Sequence, residues 1–255
     1  MATKRGGGTS MTERAALVTG GSGGIGYAIA ERLGRDGYGL TISGRQEEKL
    51  MAAAERLRGE GLDVEPVVAD LSKAEQAVAL VAAHRERWGR LDCLVNNAGI
   101  GIGQGIGEIS EKFFDLQVAV NLKALVVLTR ESFGMLQEAG GEHGKALVVN
   151  LASVAGKAYP PWLSIYGATK AAVISFSQSS QKEFGESGVQ VTAICPGFVE
   201  TDMTEFVKGE IPPEKMIRPE DLGEVVAFLL STSPNCVVPE IVLNRPGTGP
   251  DSGGM

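Results

Sequence analysis

Ala15-Ala-Leu-Val-Thr19-Gly20-Gly21-Ser22-Gly23-Gly24-Ile25-Gly26 carries the chain from an apolar run into a cluster of glycines, and Ala28, Ile29, Ala30 and Leu33 follow at helical spacing. The first five residues read as a buried strand, and Gly26 to Gly34 as the helix after it. Without side chains at Gly20, Gly24 and Gly26, the backbone can turn sharply at that junction and come close to a ligand. The unpaired N–H groups of a helix start favour an anion there. A Gly-x-x-x-Gly-x-Gly spacing at the first strand-to-helix junction of an α/β chain therefore points to a dinucleotide pyrophosphate rather than to a merely flexible turn.

The same alternation continues outward. Strands are predicted at Gly39–Ser43, Val64–Ala69, Leu91–Asn96, Ala146–Leu151, Val189–Ile194 and Glu240–Leu243. Helices are predicted at Glu47–Gly59, Lys73–Trp88, Phe113–Glu138, Tyr166–Phe184 and Pro219–Leu230. Strands that are near-continuous Val, Leu and Ile, each followed by a helix, require a parallel sheet covered on both faces. The expected fold is α/β, a single-domain doubly wound parallel sheet of Rossmann type with helices on both faces. No internal repeat or shift in composition divides the chain. Residues 13–246 are expected to form one dinucleotide-binding catalytic domain, between a flexible leader at 1–12 and a flexible tail at 247–255.

Composition excludes several partners. The 24 basic and 31 acidic residues leave a net charge of −7 with no run of five like charges, which argues against nucleic acid. No apolar run approaches the ~20 residues that cross a bilayer, and the start around Lys4 and Arg5 is followed by glycines rather than an apolar signal core. A soluble, cytoplasmic protein without membrane contact is expected. Cys93, Cys195 and Cys236 are scattered and form no Cys-x-x-Cys pair, so reduced thiols are expected rather than disulfides or zinc ligands. His84 and His143 stand apart from the motifs, and no metal site is expected.

The other predicted strand ends carry a consistent set of residues. Asp70-Leu71 follows the third strand, Asn96-Asn97-Ala98-Gly99 ends the fourth, and Pro196-Gly197 follows the sixth, with Val199 and Thr201 beyond it. The second strand ends Ile42-Ser43-Gly44-Arg45. It offers no carboxylate to bond a ribose 2′-hydroxyl and repel a 2′-phosphate, whereas a guanidinium pairs with phosphate in bidentate fashion. Tyr166 and Lys170 lie one helical turn apart on one face. A phenol with a pKa near 10 shuttles protons poorly at neutral pH unless a positive neighbour stabilises its anion, which Lys170 can do. Ser153 stands at the end of the fifth strand, and Asn121 lies inside a predicted helix, where an amide is a mediocre helix former. Singly, these residues read as an amphipathic pair, a strand terminator and a partner for a buried carbonyl.

Taken in chain order, these motifs make the sequence resemble the compact branch of the short-chain dehydrogenase/reductase family over about residues 15–235. The resemblance implies hydride transfer between a nicotinamide and a carbonyl or secondary alcohol. It implies that Tyr166 is the acid/base, that Ser153 orients and polarises the substrate oxygen, that Lys170 lowers the Tyr166 pKa and holds the nicotinamide ribose, and that Asn121 supports a relay water. Thr19, Gly20, Ser22, Gly24, Ile25 and Gly26 would then surround the pyrophosphate, and Asp70 and Leu71 the adenine. Asn97, Ala98 and Gly99 would lie beside the dinucleotide, with Pro196, Gly197, Val199 and Thr201 at the carboxamide. Ser43 and Arg45 resemble the phosphate contacts of NADP-preferring members, so NADP is expected over NAD. Gly23 departs from many of those members, which carry a basic residue there.

Tyr159-Pro-Pro-Trp162-Leu163 and Phe198 to Val207 are placed to border the nicotinamide, the second as a mobile lid, and the glycines 101, 103, 105 and 107 make a pliant loop on the same rim. With no charged anchor there, a neutral and apolar carbonyl or alcohol is the expected substrate. Reduction of 3-oxoacyl groups on acyl carrier protein is the alternative; Glu138, Glu142, Glu183 and Glu186 would repel an acidic carrier. Residues 237–246 also lack the Asp-Gly-Gly ending common in such reductases. A catalytically silent NADP-responsive regulator would have no need of Asn121, Ser153, Tyr166 and Lys170 together, and a nucleotide-sugar epimerase normally needs a longer chain. In the family the helices near Phe113 and Tyr166 pack against a partner chain, so a homodimer or homotetramer is expected.

Overall fold

The computed structural model describes residues 13–249. The expected leader and residues 250–255 of the expected tail lie outside them. Seven parallel strands form one sheet: β1 (Ala15–Thr19), β2 (Gly39–Gly44), β3 (Val64–Val68), β4 (Cys93–Asn96), β5 (Ala146–Leu151), β6 (Val189–Pro196) and β7 (Glu240–Leu243), in the order β3-β2-β1-β4-β5-β6-β7. Every residue of β1 is buried, as a central strand covered on both faces must be.

Side chains alternate between the two faces. Ala16 and Val18 of β1 join Ile29 and Leu33 of α1 (Gly24–Arg35), Leu50 and Leu57 of α2 (Glu47–Gly59) and Leu222. Leu17 points the other way, into the layer built by α3 (Ala74–Trp88) and, later in the chain, by a helix containing Leu128 and Leu136. Each leucine fully buried in this way contributes about 1.5–3 kcal/mol.

The predicted helix Phe113–Glu138 is three pieces. α4 (Glu111–Val118), N-capped by Ser110, runs into a π turn at Ala119–Lys123, and α5 (Ala124–His143) continues from it. The sequence reading stops this helix short of Gly140-Gly141. The structure carries it to Gly144, whose left-handed backbone (φ 79°) ends it. Gly140 serves a close approach instead, since a Cβ there would sit 2.5 Å from the Gly188 carbonyl oxygen.

α6 (Ala155–Ala158), α7 (Ser164–Phe184) and α8 (Pro219–Ser231) complete the helices. Short 3₁₀ turns at Ile106–Glu108, Asp202–Val207 and Pro213–Lys215, and α6 itself, carry no periodicity long enough to read from sequence. The strand starting at Leu91 begins at Cys93, and β6 extends to Pro196.

His84 ties α3 under the sheet. Its Nε2 faces the Arg90 carbonyl at 2.9 Å, which only accepts, so Nε2 carries the proton and Nδ1 accepts from the Thr41 hydroxyl at 2.8 Å. Trp88 Nε1 donates to the same hydroxyl oxygen at 3.0 Å. Burial pulls the imidazole pKa down to about 4. Between these pKa values only the unfolded chain binds the proton, so the stability that neutral His84 contributes is fully present above pH 6.5 and is lost as pH falls toward 4. The stability difference between the unaltered protein and His84→Gln is expected to shrink by about 3 kcal/mol over that window in urea titrations. A pH-independent difference would contradict the neutral assignment.

Candidate active site

The carboxyl ends of all seven strands meet one edge of the sheet. β1 and β4 are neighbours there, while β2 and β3 lie beyond β1 and β5 to β7 beyond β4. This reversal of strand order opens a crevice at a switch point, and a cleft of ≈ 850 Å³ occupies it.

The glycine turn after β1 builds one wall. Gly20 (φ 66°) and Gly24 (φ 52°) take left-handed backbone that side chains resist. A Cβ on Gly23 would have nothing within 4 Å, so the start of α1 opens onto the cleft. A Cβ on Gly26 would lie 2.3 Å from the Gly20 carbonyl oxygen and 2.5 Å from Asn97 Nδ2. Gly26→Ala must therefore displace the loop from the helix. The expected loss is about 1–3 kcal/mol of stability by calorimetry, with weakened dinucleotide binding. An unchanged melting temperature would show that the loop is not held this tightly.

Thr19 acts below this wall. Its Oγ1 accepts from the N–H groups of Asn97 and Ala98, both at 3.0 Å, and donates to the Val95 carbonyl, while Asn97 Nδ2 donates to the Thr19 carbonyl at 2.8 Å. Thr19 and the Asn97 amide thus lock the β1 and β4 turns together. Gly20, Ser22, Gly24, Ile25, Ala98 and Gly99 line the cleft.

Arg45 lines its far end with Gln46, Lys49 and Arg56, whose guanidinium lies 4.4 Å from the Tyr27 ring centroid. Ser43 is sealed beneath, and its hydroxyl is buried without a hydrogen-bond partner. Asp70 accepts from the Ser72 N–H and hydroxyl, which with nearby Lys73 and Arg45 hold its carboxyl below the usual range. Neither Asp70 nor the buried Leu71 lines the cleft. The open helix start, the left-handed glycines and the basic far end together fit a phosphorylated dinucleotide.

At the other end, Ser153 follows β5, and Tyr166 and Lys170 stand on α7. The Ser153 hydroxyl accepts from the Ala155 N–H at 3.1 Å and lies beside the Tyr166 phenol, whose pKa it lowers. Lys170 Nζ lies 5.7 Å from the Tyr166 ring centroid and donates to the Leu151 carbonyl at 2.7 Å. Burial lowers the Lys170 pKa to about 8.

Burial raises the Tyr166 phenol pKa, and the opposing influence is the Ser153 hydrogen bond. The Asn121 amide is hydrogen-bonded to the loop after β4 and to α7. Its Oδ1 accepts from the Ile100 N–H at 2.8 Å, and Nδ2 donates to the Ile100 carbonyl and to Thr169. The π turn delivers this amide to the loop after β4, so Asn121 braces backbone. A Cβ on Gly99 would be 3.4 Å from both Asn121 Oδ1 and Lys170 Nζ, so the loop passes directly over both.

Pro196, Gly197, Val199 and Thr201 also line the cleft, and Thr201 approaches the phosphate loop, its methyl 3.0 Å from a Cβ built on Gly24. Pro160, Trp162, Leu163, Phe198, Met203 and Phe206 add the apolar wall. The sequence reading missed Gln117, buried in α4, whose Oε1 accepts from the Ile102 N–H at 3.1 Å. A glutamine in an apolar helix register is the signal that could have found it. Among the described residues, no group of three or more His, Cys, Asp or Glu could hold a metal, and no helix is long and apolar enough to cross a membrane.

Residues 14–211 match the family model described as short chain dehydrogenase. A protein of Streptomyces coelicolor carrying the provisional name ketoacyl reductase is 33% identical over 236 residues, covering 84% of this chain and 89% of its own. A variant of the actinorhodin polyketide ketoreductase with NADPH superposes with a TM-score of 0.81 at 31% identity, covering 90% of this chain and 95% of that one. The 3-ketoacyl-(acyl-carrier-protein) reductase of Brucella melitensis, complexed with NADH, superposes with a TM-score of 0.82 at 29% identity, covering 96% of this chain and 100% of that one.

Proposed function

The chain belongs to the short-chain dehydrogenase family and is an oxidoreductase, and we propose that it reduces a neutral, largely apolar ketone with NADPH, Tyr166 giving the proton. The observation that carries this reading is that Ser153, Tyr166 and the buried ammonium of Lys170 line the same cleft as the glycine turn and Arg45.

A bound nicotinamide supplies the hydride, or accepts it in the reverse direction. Ser153 holds the carbonyl oxygen, and the phenol hands its proton to that oxygen as negative charge develops. Lys170 then lies close enough for its charge to stabilise the phenolate left behind. Asn121, which braces the Ile100 backbone, supports the relay water.

Thr19, Gly20, Ser22, Gly24, Ile25 and Gly26 hold the pyrophosphate, Thr19 and Gly26 by shaping the turn. Arg45 would take the 2′-phosphate, with Ser43, whose hydroxyl is buried and unpartnered, near it in sequence. Asp70 and Leu71 shape the adenine side, and Asn97, Ala98, Gly99, Pro196, Gly197, Val199 and Thr201 the nicotinamide side. NADP over NAD is supported by Arg45 and by the NADPH-bound relative, while the Brucella protein is complexed with NADH.

We place residues 13–246 in one catalytic domain of a cytoplasmic homodimer or homotetramer; exposed Phe113 and Phe114 on α4 and Val126 on α5 support association there. NADPH oxidation followed at 340 nm against neutral ketones, 3-oxoacyl thioesters and sugar nucleotides tests the reading. Turnover of neutral ketones supports it. The relatives' names favour the thioester arm as the second reading, and turnover confined to thioesters would replace the first.

A further inference from the structure

Tyr159 (φ 52°) and Trp162 (φ 55°) are the two non-glycine residues with left-handed backbone among the described residues, and they flank Pro160-Pro161. Such a conformation is strained for an aromatic residue and persists only where its surroundings over-determine it. Here it delivers the Trp162 indole, 49% exposed, to the cleft wall.

Two segments, the loop at Gly103-Gln104 and the turn at Phe206, hold that residue. It rests on Gly103, where a Cβ would lie 1.9 Å from Cε3 and 2.1 Å from Cζ3, so only glycine permits the seat. The Trp162 carbonyl accepts from the Gln104 N–H at 2.7 Å. Phe206, on the turn that covers the cleft, meets the indole edge-on, with centroids 5.6 Å apart and planes at 89°. Gly101 lies between the same wall and the reactive phenol, since a Cβ there would be 3.7 Å from the Tyr166 ring and 3.9 Å from Met203 Sδ. An indole left half in water and held by Gly103 and Phe206 gains little for folding, and it lines the cleft.

We infer that Trp162 is a specificity-determining residue, a prefixed stacking wall that selects ketones bearing a flat aromatic ring over saturated ketones of the same size. The inference rests on reading the cleft as a ketone-reducing site. A flat ring against the indole gains dispersion and quadrupole attraction that a puckered ring of equal volume cannot match.

Acetophenone and cyclohexyl methyl ketone form a matched pair. Conjugation changes the intrinsic reactivity of the first, so the informative quantity is the change in the ratio of their kcat/KM values between variants. Trp162→Leu, which keeps apolar bulk and loses the flat face, is expected to lower the aryl-to-cyclohexyl ratio about 3- to 10-fold. Trp162→Phe is expected to restore part of it. Gly103→Ala keeps the indole and displaces its seat, and should move the ratio the same way. A ratio unchanged in Trp162→Leu and Gly103→Ala, or an equal fall for both ketones, overturns the inference. If the unaltered protein oxidises NADPH with neither ketone, the reductase reading fails instead. The stacking wall is then judged by saturation-transfer NMR on protein loaded with NADP⁺, where equal acetophenone affinity with and without the indole overturns it.

Discussion

Tyr166→Phe is expected to cut kcat for ketone reduction by about 10²–10⁴-fold, the range a positioned general acid supplies. The substitution removes one oxygen and leaves the ring against Gly101, with Lys170 still on the Leu151 carbonyl. NADPH affinity should therefore weaken by less than about 10-fold, as one neutral hydrogen bond allows, and fluorescence of bound NADPH measures that separately from turnover. Residual activity within a few-fold of the unaltered protein would remove Tyr166 from the proton-donating role. Loss of both turnover and binding would instead mark the phenol as a structural support of the cleft.

Arg45→Asp carries the second large effect. Arg45 lines the basic end of the cleft with Lys49 and Arg56, at the end of β2 where a 2′-substituent of the adenosine ribose would lie. A charge-assisted contact to phosphate is worth about 1.5–3 kcal/mol, so its replacement by a repelling carboxylate should lower kcat/KM for NADPH by about 10- to 100-fold or more. A carboxylate there can also bond a free 2′-hydroxyl, so NADH should gain relative to NADPH. Steady-state kinetics with both cofactors settles it, and an unchanged ratio would dissociate Arg45 from the phosphate.

The parallel sheet was legible because its strands are near-continuous runs of Val, Leu and Ile separated by helical registers, a pattern that only two-sided cover explains. The glycine turn, Ser153, Tyr166 and Lys170 were legible because each stands where a strand or helix meets the carboxyl edge. What escaped was tertiary in origin. Gly140 looks like a helix stop and is instead a contact with Gly188. The π turn around Asn121 depends on bonds to Ile100 and Thr169, which are far away in sequence. The hydrogen bonds of Thr19 to the turn after β4, at Asn97 and Ala98, are likewise set by the sheet and not by local sequence. The pKa balance at Tyr166 follows from burial, which four-residue spacing does not encode.

The most direct test follows a labelled hydrogen. Protein incubated with NADPH deuterated on the transferred face of C4 and with acetophenone should yield 1-phenylethanol carrying one deuterium on the carbinol carbon. Tyr166→Phe should form that product far more slowly with the label in the same place. NADPH consumed without deuterium reaching the carbinol carbon, or a phenylalanine variant as fast as the tyrosine protein, would contradict a cleft built for hydride transfer with a phenol as its acid.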